Sequence, residues 1–246
     1  MYAAQALAAP LHSILINRIS DYVRSRPRDV QQAIGPSEVG EPCSRALIAR
    51  LMNVPQRPER PNWKAEVGTA IHEDLKVMFG GDRDYIVESP VTVGFIDSEP
   101  VTGTCDLFHI PSGTVVDWKS KGRTTMTNHK RKGPGPRYET QAQLYGLGYV
   151  GLGYEVKTVQ IEFLPRDGEL ADGFGWAAPF QPLLGLAALD RCHHLLVQAR
   201  EWGLVTAMNS YPHCDDDWCR TCNDPNKIYP GRARVSSADN PFALNF

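Results

Sequence analysis

Two aspartates and a lysine, Asp106, Asp117 and Lys119, are the residues of this sequence best suited to chemistry. Asp117 and Lys119 sit two apart in GTVVDWKS, a short β-branched run, so as a strand they share one sheet face. Asp106 lies near the end of the preceding run, EPVTGTCDLFHI, so two carboxylates and an ammonium can converge. Hard carboxylate oxygens suit Mg²⁺ or Mn²⁺, an ion that polarises a phosphate and acidifies a bound water. The lysine can orient that water or hold developing negative charge. This is the chemistry of phosphodiester hydrolysis. Alone the triplet is weak, because Asp and Lys at strand ends are common on any surface.

A second group is made of thiols. Six cysteines occur, at 43, 105, 192, 214, 219 and 222, with the last three crowded as Cys214-x4-Cys219-x2-Cys222. No apolar run is long enough for a membrane span, and the N-terminal MYAAQALAAPLHSILI lacks the basic start of a signal peptide. The expectation is a cytoplasmic protein without a membrane partner, in which clustered cysteines point to metal before disulfide. Cys105 and Cys192 have no partner at motif spacing and read as buried, inert thiols.

The net charge of -2 gives no overall pull toward nucleic acid, so phosphate contacts must be local. Lys121, Arg123, Lys130, Arg131, Lys132 and Arg137 follow the Asp117 strand with no acidic residue among them, and read as a DNA-binding set.

These residues need elements to position them. Apolar spacing over 11–33 predicts a peripheral helix broken by Pro27, and Ser37 or Glu38 opens a second helix to Leu51. The loop VPQRPERPN follows, and then a helix from Trp63 to Phe79 carrying His72. Three short strands, starting at Tyr85, Glu99 and Gly113, form a meander. A polar loop, Lys121 to Pro136, leads to a helix from Tyr138 to Val150 and a fourth strand, KTVQIEFLP. The Gly/Pro-rich DGELADGFGWAAPFQP reads as irregular, Leu183 to Met208 as one long helix, and the tail as flexible.

The chain resembles the PD-(D/E)XK nuclease superfamily, in its RecB-like branch, which includes CRISPR-associated iron–sulfur exonucleases and phage recombination exonucleases. Four elements carry the resemblance in order: Gly68-Thr69-Ala70-Ile71-His72, Gly103-Thr104-Cys105-Asp106, Val115-Val116-Asp117-Trp118-Lys119-Ser120, and Gln141-Ala142-Gln143-Leu144-Tyr145. A proline before Asp106 is absent.

The resemblance implies an α/β, restriction-endonuclease-like core of helix, three-strand meander, helix and strand, with terminal helical additions joined by a four-cysteine metal site. It implies metal ligation by His72, Asp106, Asp117 and the Trp118 carbonyl, with Lys119, Gln141 and Tyr145 completing the catalytic set. Glu88 matches an acidic position of the branch, yet a solvated strand glutamate would look the same.

Cys43 lies in a segment, Ile34 to Arg45, similar to one in the branch, where one early and three late cysteines hold a 4Fe–4S cluster. The branch more often has the short gap first. The reversed gaps here leave Zn²⁺ open, on four thiolates or on three with His213.

The expected organisation is a helical extension over 1–33, a nuclease domain over 34–222 and a tail over 223–246. The expected activity is a Mg²⁺- or Mn²⁺-dependent DNA exonuclease of recombination or repair. Phage origin and a single-strand annealing partner protein belong to the same resemblance. A structure-selective or restriction-type endonuclease and a non-catalytic DNA-binding protein are the alternatives.

Overall fold

The computed structural model describes residues 11–25, 34–54, 63–216 and 219–223. Five strands, β1 (Tyr85–Ile96), β2 (Glu99–His109), β3 (Thr114–Lys121), β4 (Thr158–Pro165) and β5 (Phe174–Pro179), form one sheet in that spatial order. β1, β2 and β3 run antiparallel as the meander, and β5 is antiparallel to β4. β3 and β4 are parallel and therefore need a crossover. It is supplied by α5 (Arg123–Lys132) and α6 (Pro136–Gly151). β3 thus lies between two neighbours, and its first four residues are all buried.

α6 packs on the sheet with α7 (Pro182–Trp202), and α3 (Ser44–Leu51) covers α7 together with α8 (Leu204–Asn209). Val39, Leu47, Phe108, Leu144, Tyr149, Ile161 and Leu195 anchor this core, with the Phe108 and Tyr149 rings stacked at 4.2 Å. Gly148 permits the close approach of α6 to β1, because a Cβ there would lie 2.8 Å from Val91. The α/β core expected from the sequence is present, with helices flanking the sheet.

Four expectations need correction. The polar loop between β3 and α6 contains the ten-residue helix α5, which buries only Met126 and so shows no apolar stripe in its sequence. The Gly/Pro-rich segment contains a 3₁₀ turn at Leu170–Asp172 and then β5, an edge strand whose Phe174, Trp176 and Ala178 pack on the core. The second helix is two: α2 (Pro36–Val39) stops at Gly40, Pro42 follows, and α3 begins after Cys43. The long C-terminal helix breaks at Gly203, whose φ of 80° lies in the left-handed region.

α1 (His12–Ser25) exposes Leu15, Ile16 and Ile19 and buries Val23. Pro27, the rest of the extension, residues 55–62 of the proline-rich loop and 224–246 of the tail lie outside the described residues. No helix among the described residues is long and apolar enough to cross a membrane.

Candidate functional site

The β2–β3 ladder ends at Leu107–Val116, so Asp106 and Asp117 lie just past the last pairing, where the two strands part. The Trp118 N–H is thereby released from the ladder and donates to Asp106 Oδ2 at 2.7 Å. That bond aims the other oxygen, Oδ1, at His72 Nδ1, 3.3 Å away. His72 comes from α4 (Trp63–Phe79), a helix with no buried residue. Its C-terminal Phe79 stacks on Trp118 at 5.9 Å and meets Tyr85 edge-on at 5.1 Å, which docks the helix beside β3.

Glu88 completes this group. The β1–β2 ladder runs Val87 to Leu107 and Ser89 to Cys105, leaving Glu88 opposite Asp106 without a bridge of its own. Glu88 has φ 47°, a left-handed conformation that a non-glycine residue adopts only at some energetic cost. Its carboxylate lies 3.9 Å from His72 Nδ1. His72, Glu88 and Asp106 each offer a ligand atom within 4.8 Å of the others, the spacing a single bound cation requires. Two carboxylates and one imidazole suit Mn²⁺ or Mg²⁺, with the nitrogen favouring Mn²⁺.

Asp117 is 1% exposed, and its Oδ2 lies 2.6 Å from Lys119 Nζ. Two residues apart on β3, they meet on one face as the alternation requires. Burial pushes the Asp117 carboxyl up to about 6 although Lys119 opposes it. Burial alone would pull Lys119 down, but Asp117 beside it outweighs that and raises it, so the ammonium stays charged. The hydrogen bond to Asp106 raises His72 against the effect of burial, and burial followed by Asp106 raises Glu88. Glu88 and Asp117 thus resist losing their protons and His72 holds one more tightly, a surplus of protons that a bound cation would displace.

Gln141 and Tyr145 are both buried on α6. Burial pushes the Tyr145 hydroxyl up, Gln141 lowers it, and Asp117 and Asp106 raise it further, which puts this helix face within electrostatic reach of the two aspartates. Gly103, three residues before Asp106, has a steric reason to be glycine: a Cβ there would lie 2.7 Å from the Pro36 ring and 3.4 Å from Tyr145. Gly68 has no such reason among the described residues, since a Cβ there would meet nothing.

The basic residues divide. Arg123, Lys130, Arg131 and Lys132 are exposed on α5, with Lys130 Nζ donating to the Asp172 carbonyl at 2.7 Å. Lys121 donates to the Tyr138 hydroxyl at 2.6 Å. Arg137 is committed to the protein itself: Nε donates to the Ser37 carbonyl at 2.8 Å, and Nη1 lies 3.4 Å from Glu41.

The four cysteines Cys43, Cys214, Cys219 and Cys222 come together with all sulfurs within 4.8 Å of one another. Cys43 caps α3, its Sγ accepting the Ala46 N–H at 3.4 Å, and lies 3.5 Å from Cys222 Sγ. Hydrogen bonds from Cys219 and Cys43 hold Cys222 far below the usual thiol range. Hydrogen bonding to Cys219 and then Cys222 raises Cys43. His213 stands outside the four, with Nδ1 3.1 Å from the Cys222 carbonyl. Burial pushes Cys192 up to about 12 and Cys105 well above its ordinary value, as befits inert core thiols.

Four thiols suit either Zn²⁺ or a 4Fe–4S cluster in chemistry. The 3.5 Å between Cys43 and Cys222 and the 4.8 Å limit on the other pairs bracket the about 3.8 Å edge of a tetrahedron with Zn–S bonds near 2.3 Å. A cluster, with its irons between the sulfurs, requires them to open outward.

No family model matches the sequence, and no curated protein is significantly similar to it. Solved structures are. LHK-Exo in complex with dAMP matches with 13% identity and a TM-score of 0.51, over 75% of this chain and 93% of that one. A second structure of LHK-Exo, an alkaline exonuclease from Laribacter hongkongensis, gives 12% and 0.48, over 70% and 90%. A phage related exonuclease from Haemophilus somnus 129PT gives 14% and 0.46, over 76% and 92%. The chain therefore has the fold of the alkaline exonuclease LHK-Exo, consistent with the PD-(D/E)XK-like exonuclease fold that its motifs resemble.

Proposed function

We propose that this chain is a metal-dependent deoxyribonuclease that digests DNA from its ends. The observation that carries the reading is the convergence of His72, Glu88 and Asp106 beside the buried Asp117–Lys119 pair. His72, Glu88 and Asp106 would hold Mn²⁺ or Mg²⁺, with Asp117 and the Trp118 carbonyl as further oxygens. Bound there, the ion would polarise the scissile phosphate and acidify a water.

The chain's own groups do the rest. The Trp118 N–H fixes Asp106, so the ligand carboxylate is aimed before any ion arrives. Lys119, kept as an ammonium by Asp117, holds negative charge that develops on the phosphate. Gln141 and Tyr145 line the approach from α6. The exposed cations of α5, Arg123, Lys130, Arg131 and Lys132, with Lys121 at its base, neutralise phosphates of the incoming strand. Arg137 is left out of that set because it ties α6 to Ser37 and Glu41.

Support for end-directed digestion comes from the fold shared with LHK-Exo, an alkaline exonuclease. A role in recombination or repair rests on the motif resemblance alone, as does a 4Fe–4S cluster at the cysteines.

The test is digestion of end-labelled linear DNA and closed circular DNA in Mn²⁺ by the native chain and by Lys119→Ala and Asp106→Asn. Linear DNA should be degraded, circles should survive, and both variants should lose nearly all activity. Cutting of circles would replace the exonuclease with an endonuclease on the same site. Equal digestion by the variants, or none by the native chain, would defeat the catalytic reading.

A further inference from the structure

Arg45, on the first turn of α3, is wholly buried. Its Nη1 donates to the Met208 carbonyl at 2.8 Å and lies 3.4 Å from both the Tyr211 carbonyl and Asn209 Oδ1. Among the described residues, Nε and Nη2 have no hydrogen-bond partner and no carboxylate pairs with the guanidinium. A buried cation without a counter-charge is among the costliest arrangements a core can hold, and folds that keep one supply negative charge nearby. Carbonyl oxygens satisfy one nitrogen but bring no net charge.

The position of Arg45 indicates where that charge comes from. It follows Cys43 by two residues, and it grips the chain at Met208 and Tyr211, three residues before Cys214. The guanidinium therefore joins the two segments that deliver the thiols, which lie 179 residues apart at Cys43 and Cys222. Four cysteine thiolates around a divalent ion, or around a 4Fe–4S cluster of the same charge, leave a net charge of minus two. Arg191 of α7 is a second cation near Cys43, exposed in part and bound to the Glu41 and Pro42 carbonyls and Ser44 Oγ, and the α3 N-terminus, whose Ala46 N–H points at Cys43 Sγ, adds only a partial positive charge.

We propose that Arg45 is the buried counter-cation of a dianionic metal–tetrathiolate centre at Cys43, Cys214, Cys219 and Cys222. Metal and arginine stabilise each other: the guanidinium offsets the thiolate charge, and the centre offsets the guanidinium. The inference rests on metal at the cysteines and is independent of the nuclease reading.

Two variants separate charge from clamping. Arg45→Lys keeps the charge with fewer donors, whereas Arg45→Gln keeps a donor for the carbonyls and removes the charge. Protein is purified anaerobically, its iron and zinc are counted, and metal loss to EDTA is timed at several pH values. If Arg45 acts through charge, the Gln variant loses metal at least about tenfold faster, in line with what outer partners contribute to metal sites. It also releases metal at a higher pH than the native chain, because its thiolates protonate more readily. The Lys variant stays close to the native protein in both.

Retention by Gln with loss by Lys would show that Arg45 is only a carbonyl clamp, and equal behaviour of all three would deny it any role. A native chain that carries neither iron nor zinc would also overturn the proposal. Should the Gln variant not accumulate, the Lys variant alone decides, since a shift of its release toward higher pH contradicts charge compensation.

Discussion

Asp117→Asn should make the ion-free protein respond differently to pH, and the size of the difference can be worked from the site. The Asp117 carboxyl is 1% exposed and lifted by burial from 3.8 to about 6. A group with a raised folded pKa contributes fully below its unfolded value, and that contribution is lost as the pH climbs through the folded one. At about 1.4 kcal/mol per pH unit, ionising Asp117 costs the native state about 3 kcal/mol in all, of which about 2 kcal/mol falls between pH 4.5 and pH 7.5.

Asparagine has the same shape and cannot ionise, so it escapes this loss. It forfeits the pairing with Lys119, which only the ionised carboxylate makes, and that attraction is already contained in the value of about 6, so it is not counted twice. For a domain of this size, about 2 kcal/mol corresponds to about 4–8 °C in Tm. The assay is thermal unfolding from pH 4.5 to 7.5 after dialysis into buffer free of divalent ions, without a strong chelator, so that the cysteine site is left alone. The native Tm should fall relative to the variant as pH rises, and Mn²⁺ at pH 7.5 should recover it in the native chain only. Parallel Tm curves for the two proteins would show that burial does not hold the Asp117 proton.

Binding of Mn²⁺ should expel protons at pH 6.5, because His72 is raised above its ordinary 6.5, Asp117 at about 6 still holds part of its proton, and a ligating imidazole must be neutral. Calorimetry in two buffers of different ionisation heat measures the number released, and His72→Ala should reduce it. Gly103→Ala should destabilise the fold by about 1–3 kcal/mol, since its Cβ would collide with the Pro36 ring and force α2 from β2. Denaturant titration reads that cost, and an unchanged midpoint would mean the segment yields freely. Replacing Arg131 and Lys132 by Ala should weaken DNA binding alike for all sequences and flatten its dependence on salt by about one phosphate contact each.

How far the sequence disclosed the site depends on what each residue needs. Asp117 and Lys119 were legible because a strand of period two forces them onto one face, and the structure closes that gap to 2.6 Å. The cysteines were legible because thiols at x4 and x2 spacing have few other uses. Glu88 was left open for a definite reason. Its place in the metal group depends on φ 47°, and nothing in a non-glycine residue advertises a left-handed turn within a strand. α5 was missed because a helix resting on Met126 alone has no apolar period, and β5 because its glycine and proline hide an alternation that only pairing with β4 reveals. Arg137 looked like its basic neighbours, and only its tertiary partners, Ser37 and Glu41, set it apart.

The cysteine site and the proposed nucleolytic site are not independent, because one short segment serves both. From Pro36, whose ring packs where a Gly103 side chain would be, the chain runs through α2 to Glu41, which faces Arg137 on α6. The Glu41 Oε1 accepts the Cys43 N–H at 3.0 Å, and Arg191 of α7 donates to the Glu41 and Pro42 carbonyls and to Ser44 Oγ. Cys43 is thus held from both α6 and α7, and the same α6 presents Gln141 and Tyr145 toward the aspartates. Metal at the cysteines would fix the far end of this segment, and with it the seat of Pro36 against β2, three residues from Asp106. Its effect on catalysis would then come from the rigidity of α2 and α6 and not from any chemistry of its own.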